Sequence, residues 1–133
     1  MTESERLKKR TFDFAVAVFR LCRVLVRTPE ARVPVSQLIR SGSSAAANYR
    51  AACRAKSRRD FISKIGTVIE EADESLFWLE FLEQTELLPP APLQPLQSEA
   101  NQLVAIFTAS QKTARANEDR DRAHRKARKH VDK

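Results

Sequence analysis

Hydrophobic residues recur at helical spacing through residues 57–88, the most strongly patterned stretch of the chain. The apolar positions of this stretch are Phe61, Ile65, Val68, Ala72, Leu76, Leu79 and Leu82. Most of the acidic side chains fall on other faces of the same helix. Ser57, followed three residues later by Asp60, resembles a capping box and marks the start. Several prolines after Leu88 mark the end, because proline lacks an amide hydrogen. The pattern predicts a helix over 58–87.

Three further amphipathic segments predict helices over 6–27, 34–56 and 95–117. Pro34 suits the first position of the second helix, where its missing donor costs little. Residues 89–92 are proline-rich, which favours a stiff extended connector. Residues 118–133 have almost no apolar content, and we expect a charged, disordered tail there. A frayed helical extension is the alternative.

The fold class follows from these segments. No stretch alternates with period two, and the 133 residues include only two glycines, so an all-α single domain is predicted. Four helices with short links favour an antiparallel up-and-down four-helix bundle over residues 1–117. Two helices carry more apolar surface than one core requires, which favours self-association. The additional apolar residues are Phe12, Phe19, Val26, Phe77, Trp78 and Phe81.

Positive charge is concentrated in particular helices. The formal charge is +7, with about +4 in 1–28, +4 in 29–56 and −5 in 57–88. Segregated bases of this kind favour a polyanionic partner, RNA or DNA. The candidate nucleic-acid-binding residues are Arg20, Arg23, Arg27, Arg40, Arg50, Arg54, Arg58 and Arg59. A solvated face paired with acids of the third helix is the alternative interpretation.

Catalytic and metal chemistry finds little support in the sequence. The only histidines, His124 and His130, lie in the tail, so a bundle di-iron site lacks its imidazole ligands. We expect no cofactor, no metal and no enzymatic activity. Cys22 and Cys53 fall at apolar positions and are predicted to be small buried side chains. Without a signal-like start or a membrane-length apolar run, the expectation is a cytoplasmic protein with reduced thiols.

Three stretches, residues 37–48, 58–61 and 70–82, resemble the small helical proteins encoded in bacterial 23S rRNA intervening sequences. The patterns Q-L-x-R-S-x-x-S and E-A-x-E-S-x-x-W-L-E carry this resemblance, which extends over about residues 10 to 115. The chain departs from the family at residues 49–51, where the family usually has a hydrophobic residue, Ala and Glu. Any role of that acid is therefore absent or reassigned here.

The resemblance implies a closed four-helix bundle that assembles as a homopentameric ring. It also implies kinship with the accessory proteins of diversity-generating retroelements, which partner a reverse transcriptase and bind nucleic acid through a basic surface. Two hypotheses follow. The first is a non-catalytic nucleic-acid-binding or accessory protein with little sequence specificity. The second is a structural or protein-interaction module that forms a homo-oligomeric scaffold.

Overall fold

The computed structural model describes residues 1–25 and 28–131. These residues form four α-helices and one short 3₁₀ helix, Pro29–Ala31, and they contain no strand. The all-α prediction is confirmed. The α-helices are α1, Glu3–Arg23; α2, Arg32–Cys53; α3, Arg58–Gln84; and α4, Pro90–Val131.

α1 begins three residues before the predicted start at residue 6. Thr2 and Glu5 form a capping box, in which the Glu5 amide donates to Thr2 Oγ1 at 3.1 Å and the Thr2 amide donates to Glu5 Oε2 at 2.8 Å. These two bonds satisfy amides that would otherwise lack partners, so the helix starts at Glu3. The helix ends at Arg23, whereas 27 was predicted; residues 26 and 27 lie outside the described structure.

α2 begins at Arg32, two residues before the predicted start, and ends at Cys53 rather than at 56. The 3₁₀ helix leads directly into it, so Pro34 occupies the third helical position instead of the first. Its missing N–H costs little there as well, because the first amides of a helix have no acceptor within the helix.

α3 starts where it was predicted. Ser57 is the N-cap, and its hydroxyl accepts from the Asp60 amide at 3.0 Å. The helix ends at Gln84, three residues early, because Glu86 adopts a left-handed conformation with φ of 59°. Such a turn usually carries glycine, so the glutamate gives no sequence signal for the stop.

The predicted extended connector over 89–92 and the helix start at 95 are wrong. α4 begins at Pro90 and includes Pro92 within its first turn. Prolines are tolerated there because those amides would lack partners in any case. Pro95 lies inside the helix on its exposed side, where its missing N–H removes one hydrogen bond of the helix.

The predicted disordered tail over 118–133 is also wrong for the described residues, since α4 continues to Val131. Arginine, lysine and alanine are strong helix formers, and extending an existing helix requires no new nucleation. Arg58 of α3 adds a tertiary anchor through ion pairs with Glu118 and Asp121. The alternative of a helical extension describes this segment correctly.

The core is formed by the predicted stripes. Ile65, Val68, Ala72, Leu79 and Leu82 of α3 are fully buried, while Phe61 and Leu76 pack at its edge. The buried residues of the other helices include Leu7, Phe14, Val18, Cys22, Leu38, Ala45, Tyr49, Ala52, Leu93, Ala100, Leu103, Phe107 and Ala114. Leu93, which precedes the predicted start of the fourth helix, extends this core into the first turn of α4.

Contacts between helices fix their relative levels. A Cβ placed on Gly42 of α2 would lie 3.3 Å from Val18 Cγ1 of α1, so these two helices approach closely at that level. α3 and α4 are joined by Gln97, which donates to the Leu79 carbonyl at 3.4 Å. They are joined again by Gln111, which donates to the Ile62 carbonyl at 3.1 Å. Later residues of α4 therefore lie beside earlier residues of α3.

α1 is fastened to α4 by a bidentate ion pair. The Arg10 guanidinium donates to both carboxylate oxygens of Glu99, at 2.7 and 2.8 Å, and also to Gln102 at 2.8 Å. The hydrogen bond that Arg10 donates to Glu99 raises the pKa of Arg10. In the described structure the backbone of α1 comes close to those of α2 and α4 but not to that of α3, so α1 and α3 occupy opposite positions in the cluster of helices.

Candidate nucleic-acid interface

Arg40 forms ion pairs with acidic side chains of α3. Its guanidinium lies 3.2 Å from Glu71 Oε2 and also pairs with Glu74. It additionally donates to Gln37 one turn earlier in its own helix, at 3.3 Å. A guanidinium already compensated by two carboxylates gains little from a phosphate. For Arg40, the alternative interpretation of bases paired with acids of the third helix is therefore correct.

Arg58 is also engaged, but with α4. Its Nη1 lies 2.6 Å from Asp121 Oδ2 and 3.5 Å from Glu118 Oε2. The hydrogen bond with Arg58 lowers the pKa of Asp121 and raises the pKa of Arg58. This arginine orients the C-terminal part of α4 rather than presenting a free charge.

The other predicted arginines within the described structure are exposed. Among the residues that the structure describes, no carboxylate lies within ion-pairing distance of these guanidinium groups. These exposed arginines are Arg20, Arg23, Arg50, Arg54 and Arg59. Arg27 lies outside the described residues.

These exposed arginines do not form one patch. Gly42 lies against Val18, and Lys8 lines the same surface groove as Arg50. At about 1.5 Å per residue, Arg23 of α1 and Arg54 of α2 are then about 25 Å apart along the bundle. That separation exceeds the Debye length of about 8 Å at physiological salt, so the two groups act independently.

Positive charge instead accumulates at the end of the bundle where α2 ends and α3 begins. Residues 50–59 contain five bases and no acid, and residues 112–131 contain eight bases and three acids. The hydrogen bond from Gln111 to Ile62 and the ion pairs of Arg58 bring these two segments together. By contrast, residues 60–86 contain one base and eight acids. The charge is thus polarised along the molecule.

Residues of α4 that were not among the candidates contribute to this basic end. Arg59, Arg115 and Arg122 line one shallow cleft between the start of α3 and the distal part of α4. Glu118 and Asp119 line it as well. Helical periodicity of the bases in 115–129 was the signal that could have identified this group, but it is meaningful only if the segment is helical.

An exposed aromatic cluster lies on α3, away from the basic end. Phe77 packs edge-on against Trp78 with ring centroids 4.8 Å apart, and Trp78 packs edge-on against Phe81 at 5.4 Å. The side chains of Phe77 and Phe81 are 54% and 39% exposed. Trp78 Nε1 is buried and has no hydrogen-bond partner among the described residues. Neighbouring Glu74 and Glu80 make this surface unfavourable for phosphates.

Residues 1–25 and 28–131 contain no group of three or more His, Cys, Asp or Glu side chains arranged to hold a metal ion. None of the described helices combines the length and the apolar character that a membrane crossing requires. Of the two cysteines, Cys22 is buried as predicted, but Cys53 is exposed, since it is the last residue of α2.

Two comparisons with known proteins give significant similarities. Residues 3–109 match the sequence profile of the 23S rRNA-intervening sequence proteins. The fold matches a crystal structure at 1.70 Å resolution of a protein of unknown function from the S23 ribosomal protein family of Bacteroides thetaiotaomicron VPI-5482. The TM-score is 0.77 and the identity 31%, covering 84% of this chain and 99% of that chain. Among curated proteins, none matches this chain significantly.

Proposed function

From the premise that the chain belongs to the 23S rRNA-intervening sequence protein family, we propose that it is a non-catalytic nucleic-acid-binding or accessory protein. It contacts phosphates through exposed bases and has little sequence specificity, because phosphate contacts carry no base information. The observation that carries this proposal is the accumulation of unpaired arginines at one end of the bundle, whereas the acids are concentrated in residues 60–86.

The proposed contact set differs from the set predicted from sequence. Of the residues predicted from sequence, Arg50, Arg54 and Arg59 belong to it, since they are exposed and fall within the base-rich segment 50–59. Arg20 and Arg23 form a separate, weaker group, and the bonded Arg40 and Arg58 contribute mainly to the structure. A partner protein such as a reverse transcriptase would bring the bound nucleic acid to its own active site.

The test is the affinity for RNA and DNA as a function of salt. The wild-type chain is expected to bind both at about 50 mM salt, with an affinity that falls steeply as salt rises. The variant R50Q/R54Q is expected to bind several-fold more weakly. The variant R40Q is the control, and its affinity should be unchanged. Absence of binding near 50 mM salt, or a shallow salt dependence, would refute the proposal.

A second candidate function, a homo-oligomeric scaffold, is favoured by exposed aromatic side chains on two helices. Phe12 and Phe19 of α1 are 53% and 51% exposed, and the cluster around Phe77 and Phe81 lies on α3. Because α1 and α3 present different surfaces of one chain, a contact between one chain's α1 and the next chain's α3 would be head-to-tail. Contacts of that kind generate rings when they close.

We propose that such a ring, a pentamer of antiparallel bundles, presents several basic ends together and thereby increases avidity. The order of contacts along α3 and α4 supports the antiparallel arrangement. The variant F77K/F81K is expected to sediment as a smaller species with unchanged helicity. A wild-type chain that is monomeric at micromolar concentration would exclude the scaffold function, while nucleic-acid binding could still be tested on the monomer.

A further inference from the structure

The distal part of α4 projects beyond the rest of the molecule. Gln111 lies beside Ile62, four residues after the start of α3, so α4 passes the end of α3 near residue 115. The remaining residues to 131 extend about 24 Å further at about 1.5 Å per residue. All side chains from 122 to 131 are exposed. The family match ends at residue 109, so the extension lies beyond the matched region.

Bases on the extension form a stripe. Arg115, Arg122, Lys126 and Lys129 are separated by seven, four and three residues. At about 100° per residue these four side chains fall within an arc of about 60° and cover about 21 Å of the helix. Arg59 of α3 lines the same cleft as Arg115 and Arg122, so it continues the stripe onto the bundle.

Most acids near the stripe are already bound. Glu118 lies 3.5 Å from Arg58 and 3.3 Å from Arg125, and Asp121 lies 2.6 Å from Arg58. Asp119 borders the cleft and offsets one base. The four bases of the stripe and Arg59 therefore leave a net positive surface along one side of the helix.

The composition of the extension indicates which kind of partner it binds. Its apolar side chains between 115 and 131 are three alanines and Val131, too little surface for a coiled-coil partner or for burial in a membrane. It contains no Phe, Tyr or Trp on which unpaired bases would stack. A straight row of charges fits the regular phosphate backbone of a duplex, which carries about one charge per 1.7 Å of its axis.

We infer that the stripe formed by Arg59, Arg115, Arg122, Lys126 and Lys129 is the main phosphate-binding element, and that its ligand is a nucleic-acid duplex. Arg58 is the positioning residue that holds the helix at the angle where Arg59 and the stripe face one ligand. This inference rests on the proposed function and identifies both the contact element and the class of nucleic acid.

The test compares two variants of the full-length chain with equal charge. R122Q/K126Q removes two bases from the stripe, and R120Q/R128Q removes two bases from other faces of the same helix. Glutamine keeps a high helix propensity, and circular dichroism checks that helicity is unchanged. The probes are RNA and DNA duplexes of about 20 base pairs, the corresponding single strands, and poly-L-glutamate, each titrated against salt.

The stripe variant is expected to bind duplexes about tenfold more weakly near 100 mM salt, with a salt slope reduced by about two. The control variant should change by less than about twofold. The inference would be overturned if both variants lost the same affinity for duplexes, or if the stripe variant bound duplexes as tightly as the wild-type chain. It would also be overturned if the wild-type chain bound single strands more tightly than duplexes. Equal affinity for poly-L-glutamate would overturn it as well, and would indicate an acidic protein partner.

The inference and the proposed function fail in distinguishable ways. If the wild-type chain binds no nucleic acid, both are wrong. If it binds and only R50Q/R54Q weakens binding, the proposed function stands and the stripe is not the contact element. RNA and DNA duplexes are tested in parallel. Tighter binding of either duplex than of the corresponding single strands supports the duplex assignment.

Discussion

Arg58 Nη1 and Asp121 Oδ2 lie 2.6 Å apart, although 63 residues separate them in the chain. This contact joins the first residue of α3 to the extension of α4. It lies beyond the point where α4 passes the end of α3, and it connects the start of α3 to the segment that carries the distal bases. The two residues therefore link the fold to the candidate interface.

Removing this contact should loosen the extension without unfolding the bundle. In D121N, we expect faster amide hydrogen exchange for residues 122–131 and unchanged exchange in the core helices, because the core does not depend on this ion pair. D119N is the matched control, with the same charge change on a neighbouring residue. Equal acceleration in the two variants would contradict a specific role of Asp121.

The same contact predicts a pH dependence. Arg58 lowers the pKa of Asp121 below its ordinary value of 3.8, mainly through their hydrogen bond. The ion pair therefore stabilises the extension fully when the pH is above that ordinary value. This stabilisation is lost as the pH falls through the lowered pKa of Asp121. Exchange in residues 122–131, corrected for intrinsic rates, should be constant from neutral pH down to about pH 5 and should rise in stronger acid. In D121N this acid-dependent rise should be much smaller.

Gly42 should resist replacement by alanine. Alanine would gain about 1 kcal/mol of helix propensity, but its methyl group would lie 3.3 Å from Val18, which is fully buried and β-branched. We expect G42A to lower the free energy of unfolding by about 1 kcal/mol, measured by urea denaturation. In a V18A background the same replacement should be stabilising relative to V18A alone, because the clash is removed.

The two cysteines should differ in reactivity. Burial raises the pKa of Cys22 to about 11, whereas Cys53 is exposed at the end of α2. At about pH 8 a disulfide reagent should react rapidly with one thiol per native chain, and with both after denaturation. C53S should abolish the rapid phase. Rapid reaction of two native thiols would contradict the burial of Cys22.

Ser41 and Ser75 form a buried hydroxyl contact of 2.8 Å between α2 and α3. Each hydroxyl also lies within bonding distance of a carbonyl of its own helix, Leu38 for Ser41 and Glu71 for Ser75. Since a hydroxyl has one hydrogen, one serine donates to its own carbonyl while the other donates across the interface. S41A should therefore cost only about 1 kcal/mol, because the Ser75 hydroxyl keeps its backbone acceptor. The double variant S41A/S75A should cost less than the sum of the two single variants, as measured by thermal or urea unfolding.

Most of the fold could be predicted because burial follows periodicity. The stripe of α3 and the N-cap Ser57 depend on neighbours within one helix, and the sequence specifies them directly. Helix ends were less predictable. The left-handed Glu86 replaces the usual glycine, and prolines at 90 and 92 entered a helix because its first amides need no partners.

The interface could be predicted only in part, since charge is visible in the sequence but pairing is not. Arg40 and Arg50 both belong to the polar part of α2, yet only Arg40 lies opposite acids of α3. Similarly, Arg58 and Arg59 are adjacent, but Arg58 is bonded to α4 and Arg59 is exposed in a cleft. Which guanidinium is free depends on the neighbouring helix and its register.

The sequence by itself determined that the chain is all-helical, which faces are buried, and that its bases and acids are segregated. These properties arise from interactions within about one helical turn, so spacing is sufficient to predict them. Only the tertiary structure decided where charges from distant segments meet. Residues 50–59 and 112–131 become one basic end because α4 passes beside the start of α3, and long-range contacts such as Arg58–Asp121 have no local signal.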